Sequence, residues 1–136
     1  SGDGTDFMNL RYYYQQCTAA LLMGEKEDPT FWMYKFQDYA VSYLFYQGCC
    51  TLAPEMYCEP GLLLLIKYDR DHGTDFYDTL RVFLESDRNI AHTAQKLFVH
   101  RSTLLYRLEK ISRISGLNLD DYRVRFKVML SIELLK

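Results

Sequence analysis

The stretch from residue 89 to residue 111 constrains the fold more than any other part of the sequence. Asn89 is a good residue with which to begin a helix, because its side-chain oxygen can accept a hydrogen bond from an amide of the first turn. Ile90, Ala94 and Leu97 then recur at the spacing of one helical face. Ala94 is also small enough to let two helices cross closely. This part of the stretch therefore predicts a short amphipathic helix packed against a neighbour.

A second short helix is predicted after a turn at residues 98–100. Its buried stripe is expected to consist of Leu104, Leu108 and Ile111, which recur at helical spacing. The opposite face and its borders carry Arg101, Ser102, Thr103, Leu105, Tyr106, Glu109 and Arg113. Two short helices joined in this way form a helix-turn-helix, here with Phe98 where such turns usually have glycine.

The polar face of the second helix suits the major groove of DNA. An arginine can bond a guanine edge through two hydrogen bonds, hydroxyl groups bond bases or phosphates, and the amides at a helix N-terminus favour a phosphate. We therefore predict that the helix at about 101–112 reads double-stranded DNA, with Arg101 as the strongest candidate for a base contact. The predicted DNA-binding residues are Lys96, His100, Arg101, Ser102, Thr103, Tyr106, Arg107 and Lys110.

The charge of the chain is divided between its two parts. The net charge is −2, but residues 1–87 hold 6 Lys+Arg and 14 Asp+Glu, whereas residues 88–136 hold 10 and 4. The basic part contains the motif, and concentrated positive charge is what a phosphate backbone attracts. Further candidates for phosphate contacts are Arg88, His92, Arg113, Arg123, Arg125 and Lys127.

Two of the candidate residues have alternative roles that the sequence leaves open. Arg107 could be a structural arginine paired with Asp120 or Asp121, and Tyr106 could pack on the last helix. Either role would remove the side chain from the DNA surface.

The rest of the chain is predicted to be mainly α-helical, a bundle that contains the helix-turn-helix. Apolar residues recur at helical spacing in further segments, which we expect to be helices at 7–23, 38–46, 62–70, 74–85 and from 120 onward. Gly24 is expected to be the C-cap of the first helix and Thr74 the N-cap of the fourth. Residues 31–36 are short and aromatic and predict one short strand.

Two regions follow from this order of elements. Residues 1–60 are expected to be a helical connector and a candidate dimerisation region, because aromatic side chains are dense between residues 12 and 46. The alternative is that these aromatic side chains form the core of the region itself, which is the more common role. Residues 61–136 are expected to be the helix-turn-helix domain. A reading helix commonly needs a two-fold partner to reach two half-sites, so we predict a homodimer or higher homo-oligomer.

Other classes of function find no support in the sequence. The cysteines at 17, 49, 50 and 58 include no C-x-x-C pair, so we predict free thiols and no metal site. Residues 69–73 resemble the start of a calcium loop, but its last ligand position holds Leu80 rather than Glu. No Ser/His/Asp or Cys/His spacing indicates an activated nucleophile, so neither an enzyme nor a cofactor is expected. There is no apolar run of about 18 residues and no signal peptide, which predicts a cytoplasmic protein without a membrane partner.

The residues of the motif also resemble a known family. The run TAQKLFVHRSTLLYRL at 93–108 is similar to the C-terminal DNA-binding domain of the PucR/CdaR family of bacterial transcription regulators. The resemblance extends to GTDFYDTL at 73–80 and to GLNLDD at 116–121, and one departure is Ser102, where the family often has Asn. The run at 93–108 is also similar to the factor for inversion stimulation. In the family an α/β domain and a sensory region precede this domain, and residues 7–60 look like the end of that preceding region.

Two functions therefore compete at the level of the sequence. The resemblance and the motif predict a sequence-specific DNA-binding transcription regulator. The alternative is a protein-interaction or dimerisation module whose helix-turn-helix is only structural, which the acidic N-terminal part favours. Salt dependence distinguishes the two, because only the neutralisation of phosphates releases counterions from DNA.

Overall fold

The computed structural model describes residues 9–49 and 51–136, which divide into two compact units at Leu52 and Ala53. The first unit contains α1 (Leu10–Glu27) and α2 (Phe36–Gly48). The second begins with a 3₁₀ turn (Pro54–Tyr57) and continues with α3 (Pro60–His72), α4 (Phe76–Glu85), α5 (Ile90–Lys96), α6 (Arg101–Ser115) and α7 (Tyr122–Leu134). The expected mainly α fold is confirmed. Among the described residues, no helix combines the length and the apolarity that crossing a bilayer requires.

The first unit is a pair of packed helices. Gly24 lies inside α1 and is not its C-cap as expected, because α1 continues to Glu27. A Cβ atom at Gly24 would overlap the ring of Tyr34, so glycine is required for the close approach of that ring. Tyr39 of α2 is buried and its hydroxyl donates to Asp28 Oδ2 at 3.3 Å. Burial raises the pKa of the Tyr39 phenol, and the Asp28 carboxylate adds to this effect.

The prediction of a strand at residues 31–36 is wrong. Residues 31–35 have no regular structure, and Phe36 begins α2. The hydroxyl of Tyr34 donates to the Asp28 carbonyl at 3.0 Å, so this residue closes the connection between two helices. An isolated strand is unstable without a partner, and no strand exists among the described residues to provide one.

The core of the second unit is formed by apolar residues from four helices and the segment before α7. Its buried members are Leu62, Leu65, Leu80, Leu84, Ile111, Leu117, Val128 and Ile132. Gly61 allows α3 to approach this core closely, since a Cβ there would lie 2.5 Å from the Ser115 carbonyl oxygen. The expected helices at 62–70 and 74–85 are confirmed to within a few residues.

The first turn of α4 is capped from outside the helix. Thr74, the expected cap, instead donates its hydroxyl to Asp69 near the end of α3. Asp69 Oδ1 accepts from the Phe76 amide at 3.0 Å, and its Oδ2 accepts from the Tyr77 amide at 2.7 Å. One carboxylate therefore satisfies two amides that a helix N-terminus leaves without partners. This contact fixes the angle at which α4 leaves α3.

Replacing Asp69 by alanine tests this contact. We expect Asp69→Ala to destabilise the second unit by about 1–2 kcal/mol, because the amides of Phe76 and Tyr77 lose their acceptor. The melting temperature followed by circular dichroism should fall by roughly 4–8 °C per kcal/mol. Asp71→Ala is the matched control, since Asp71 is an exposed acid on the same helix. Equal melting of the two variants would contradict the capping role.

Candidate nucleic-acid interface

The helix-turn-helix predicted from the sequence is formed by α5 and α6. Asn89 begins α5 as expected, with its Oδ1 accepting from the His92 amide at 3.0 Å. The buried Thr93 donates its hydroxyl to the Asn89 carbonyl at 2.7 Å. Ala94 is also buried, as its small side chain predicted. α5 is thereby fixed at its start and packed along one face.

The turn reaches its geometry without glycine. Phe98 adopts a left-handed conformation with φ of 52°, which costs a non-glycine residue on the order of 1 kcal/mol. The Phe98 amide donates to the Gln95 carbonyl at 3.2 Å, and the Val99 amide donates to the Ala94 carbonyl at 3.0 Å. These two bonds satisfy carbonyl groups at the end of α5. The Phe98 side chain is 95% exposed, so the turn does not depend on packing of that ring.

α6 buries one face and exposes the other. Leu104 and Ile111 are fully buried and Leu108 is half-buried, which confirms the expected stripe. The exposed residues are Arg101, Ser102, Thr103, Leu105, Tyr106, Glu109, Ser112 and Arg113. Thr103 and Leu105, expected at the borders, are thus on the exposed side. The Tyr106 side chain is 58% exposed, which excludes burial under α7.

The N-terminus of α6 is open for a ligand. His100 precedes the helix and its carbonyl accepts from the Leu104 amide at 3.0 Å, but its side chain makes no capping hydrogen bond. Arg101 follows on the exposed surface, and it forms no ion pair with any described residue. Lys96 at the end of α5 is likewise exposed and has no ion pair within the described part of the chain. Lys96 at the end of α5 and Arg101 at the start of α6 are thus exposed cations without an ion pair among the described residues.

Further along α6 the charged side chains contact each other. The Lys110 ammonium lies 5.8 Å from the centre of the Tyr106 ring, a cation–π distance. Arg113 pairs with Glu109 one turn earlier at 2.5 Å. Of the four cations of α6, Arg107 and Arg113 are therefore in ion pairs, whereas Arg101 and Lys110 have none among the described residues.

Arg107 occupies a different position from the other candidate residues. Its side chain is 24% exposed and lies against α4, where Nη1 donates to Thr79 Oγ1 at 3.1 Å. The same atom is 3.5 Å from Asp75 Oδ2. A structural pairing of Arg107 was considered from the sequence, but Asp120 and Asp121 are the wrong partners. Both acids are used elsewhere.

Asp120 and Asp121 both make contacts in the segment that precedes α7. Asp121, rather than Asp120, caps α7 by accepting from the Arg123 amide at 2.8 Å. Asp120 pairs with Arg88 at 3.3 Å. Arg125 Nη1 donates to the Leu119 and Asp120 carbonyls at 2.7 Å and 2.8 Å. Arg88 and Arg125, two candidates for phosphate contacts, thus hold this segment in place, whereas Arg123 and Lys127 are exposed.

Other chemistry has little support in the part of the chain that the structure describes. No group of three or more His, Cys, Asp or Glu residues there could hold a metal ion. Cys17, Cys49 and Cys58 form no disulfide with one another, and Cys50 lies outside the described residues. Burial raises the pKa of the Tyr77 phenol on α4. On the same helix, the hydrogen bond to Asp78 raises the pKa of Arg81, and Glu85 contributes in the same direction.

Comparison with known proteins agrees with this architecture. The family model of the PucR C-terminal helix-turn-helix domain matches residues 76–134, from the first residue of α4 to the last residue of α7. The DNA-binding transcriptional activator AdeR of Bacillus subtilis is 39% identical over 74 residues, which are 54% of this chain and 18% of AdeR. The proline-responsive transcriptional activator PutR of the same species is 31% identical over 80 residues, 59% of this chain and 20% of PutR.

A further relative covers more of the chain. An uncharacterized protein of Haemophilus influenzae is 30% identical over 119 residues, which are 82% of this chain and 29% of that protein. The chain therefore spans less than a third of the length of these relatives. No solved structure matches it. The match of α4 to α7 and the similarity to AdeR and PutR lead to one conclusion: residues 76–134 of this chain are a helix-turn-helix domain of the PucR C-terminal type.

Proposed function

We propose that this chain is the DNA-binding part of a bacterial transcription regulator, and that α6 reads the major groove in a sequence-specific manner. The observation that carries the proposal is the open N-terminus of α6, where Arg101 is exposed, unpaired among the described residues, and adjacent to free helix amides. An arginine at that place can approach a guanine edge, while the amides and Lys96 attract phosphates. The names of AdeR and PutR support the same class of function. The protein then acts in the cytoplasm, by regulation rather than by catalysis.

The remaining candidate residues would make different kinds of contact in this proposal. Ser102, Thr103 and Tyr106 lie on the exposed side of α6 and would contact bases or the sugar-phosphate backbone. His100 and Lys110 would contact phosphates at the two ends of that surface. Arg107 would act by holding α6 against α4 rather than by touching DNA, because its guanidinium is committed to Thr79 and Asp75.

We also propose that the protein binds DNA as a homodimer through its first unit. α1 and α2 bury few side chains, and several large apolar residues remain exposed: Leu10, Tyr12, Tyr14, Leu21, Leu22, Val41, Leu44 and Tyr46. A helical pair of this size stabilises itself poorly, so a second copy would cover apolar surface that is otherwise in water. Two copies would present two α6 helices to two half-sites.

Two substitutions separate base reading from phosphate binding. We expect Arg101→Ala to lose about 1–3 kcal/mol of discrimination at one base position, because a two-bond guanine contact is lost. Lys96→Ala should weaken binding to every duplex and reduce the salt slope by about one unit. The measurement is a fluorescence anisotropy titration on selected and scrambled duplexes at several salt concentrations. Unaltered binding by both variants, or parental binding without salt dependence, would favour the interaction module instead.

Replacing Arg107 should lower the stability of the second unit rather than remove a direct contact with DNA. Arg107→Ala is expected to destabilise the second unit by about 1–2 kcal/mol, because the buried Thr79 hydroxyl loses a charged donor and the side chain is largely shielded from water. Arg113→Ala is the matched control on the same helix, as its exposed pair with Glu109 is worth at most about 0.5 kcal/mol. Thermal melting measures both. If Arg107→Ala melts like the parent and only loses DNA affinity, Arg107 is a phosphate contact after all.

The oligomeric state is tested by placing a charge on the first unit. We expect the parent chain to dimerise with rising concentration in sedimentation velocity runs. Leu44→Lys should shift it to monomer, since Leu44 is 67% exposed and its replacement would bury a charge in the interface without disturbing α2. Leu64→Lys on α3, where the leucine is 54% exposed, is the control and should dimerise like the parent. A parent that stays monomeric at all concentrations, with and without DNA, would end the proposal.

A further inference from the structure

Leu105 is an apolar side chain in the middle of an otherwise polar exposed face. It is 47% exposed, whereas Leu104 beside it is fully buried. Single exposed leucines are common on protein surfaces and need no explanation by themselves. Leu105 differs because it lies on the helix that presents Arg101, one helical turn after that arginine.

The exposed face of α6 has a defined composition around this leucine. Ser102, Leu105, Tyr106 and Glu109 recur at i, i+3, i+4 and i+7, so they form one stripe along the helix. Glu109 is engaged by Arg113, and the Tyr106 ring is covered in part by Lys110. Leu105 is therefore the aliphatic side chain of the stripe, and neither of these two contacts involves it.

The chemistry of base edges offers one match for such a group. In the major groove each base edge presents hydrogen-bonding groups, and thymine is the base that also carries a methyl group there, at C5. A branched aliphatic side chain gains nothing from a donor or an acceptor, and it gains hydrophobic contact with a methyl group. We propose that Leu105 reads the C5-methyl group of a thymine, an inference that rests on the proposed function of α6.

The spacing of the helix places that thymine relative to the base read by Arg101. Four residues of α-helix advance about 6 Å along the axis. Successive bases of one strand are about 3.4 Å apart along the duplex. A helix lying along the groove would thus put the thymine about one or two base steps from the guanine read by Arg101. This distance makes the inference specific to one part of the binding site.

The experiment begins with a binding site chosen by the protein itself. The whole chain is used to enrich duplexes from a random library, and the parent is then titrated by anisotropy against the enriched duplex. Each thymine in turn is replaced by deoxyuridine, which removes only the methyl group. We expect one replacement, near the position that Arg101→Ala no longer discriminates, to lower the affinity about three- to tenfold.

Variants then assign the lost methyl contact to a side chain. Leu105→Ala should bind the thymine and deoxyuridine duplexes equally at that position. Leu64→Ala, with a leucine of similar exposure on α3, should keep the full difference. Leu105 is exposed, so its replacement should leave the melting temperature unchanged and the result can be assigned to contact rather than to folding.

The outcomes separate this inference from the function on which it rests. If the parent enriches no sequence, the proposed reading of DNA fails and the role of Leu105 fails with it. If a site is enriched but no methyl group matters, or Leu105→Ala keeps the full methyl effect, only the role of Leu105 is overturned. Loss of the effect in Leu105→Ala but not in Leu64→Ala supports it.

Discussion

The burial of the Leu104–Ile111 face of α6 is the constraint on which the rest of the second unit depends. Both residues are fully shielded from water, and Ile111 belongs to the core shared with α3, α4 and α7. A helix whose one face is buried cannot rotate without exposing apolar surface, at about 25 cal/mol per Å². The rotation of α6 is therefore fixed, and with it the set of side chains offered to a ligand. The surface that contains Arg101 and Leu105 is the face of α6 that this packing leaves exposed.

Polar contacts then set the positions that apolar burial leaves adjustable. Arg107 bridges α6 to Thr79 and Asp75 of the α4 region, and Asp69 ties the start of α4 to the end of α3. Apolar contacts are not directional, whereas a hydrogen bond to a buried hydroxyl tolerates little movement. These bonds would hold the N-terminus of α6 in a constant orientation, which a reading helix needs if one arginine is to meet one base.

Several charges that would suit DNA by composition have a structural use instead. Arg88 and Arg125 hold the segment before α7 through the Leu119 carbonyl and Asp120, and Arg113 is paired with Glu109. The excess positive charge of residues 88–136 thus overstates what is available to phosphates. Lys96 at the end of α5 and Arg101 at the start of α6 are exposed and have no ion pair among the described residues, so their positions in the helix-turn-helix, rather than the total charge, define the candidate interface.

The sequence by itself determined the helix-turn-helix and its buried stripe. The periodicity of Ile90 and Ala94, and that of Leu104 and Ile111, together with the Asn89 cap, are local patterns that act within one or two turns. Only the tertiary structure decided the partners that are distant in sequence. Which helices meet decides the pairing of Arg107 with Asp75 and the rotation of α6 that exposes Leu105. It also decides the close approach of Tyr34 to Gly24, in a segment where the sequence predicted a strand. A periodic pattern marks which face is buried, but it does not specify the neighbour against which that face packs.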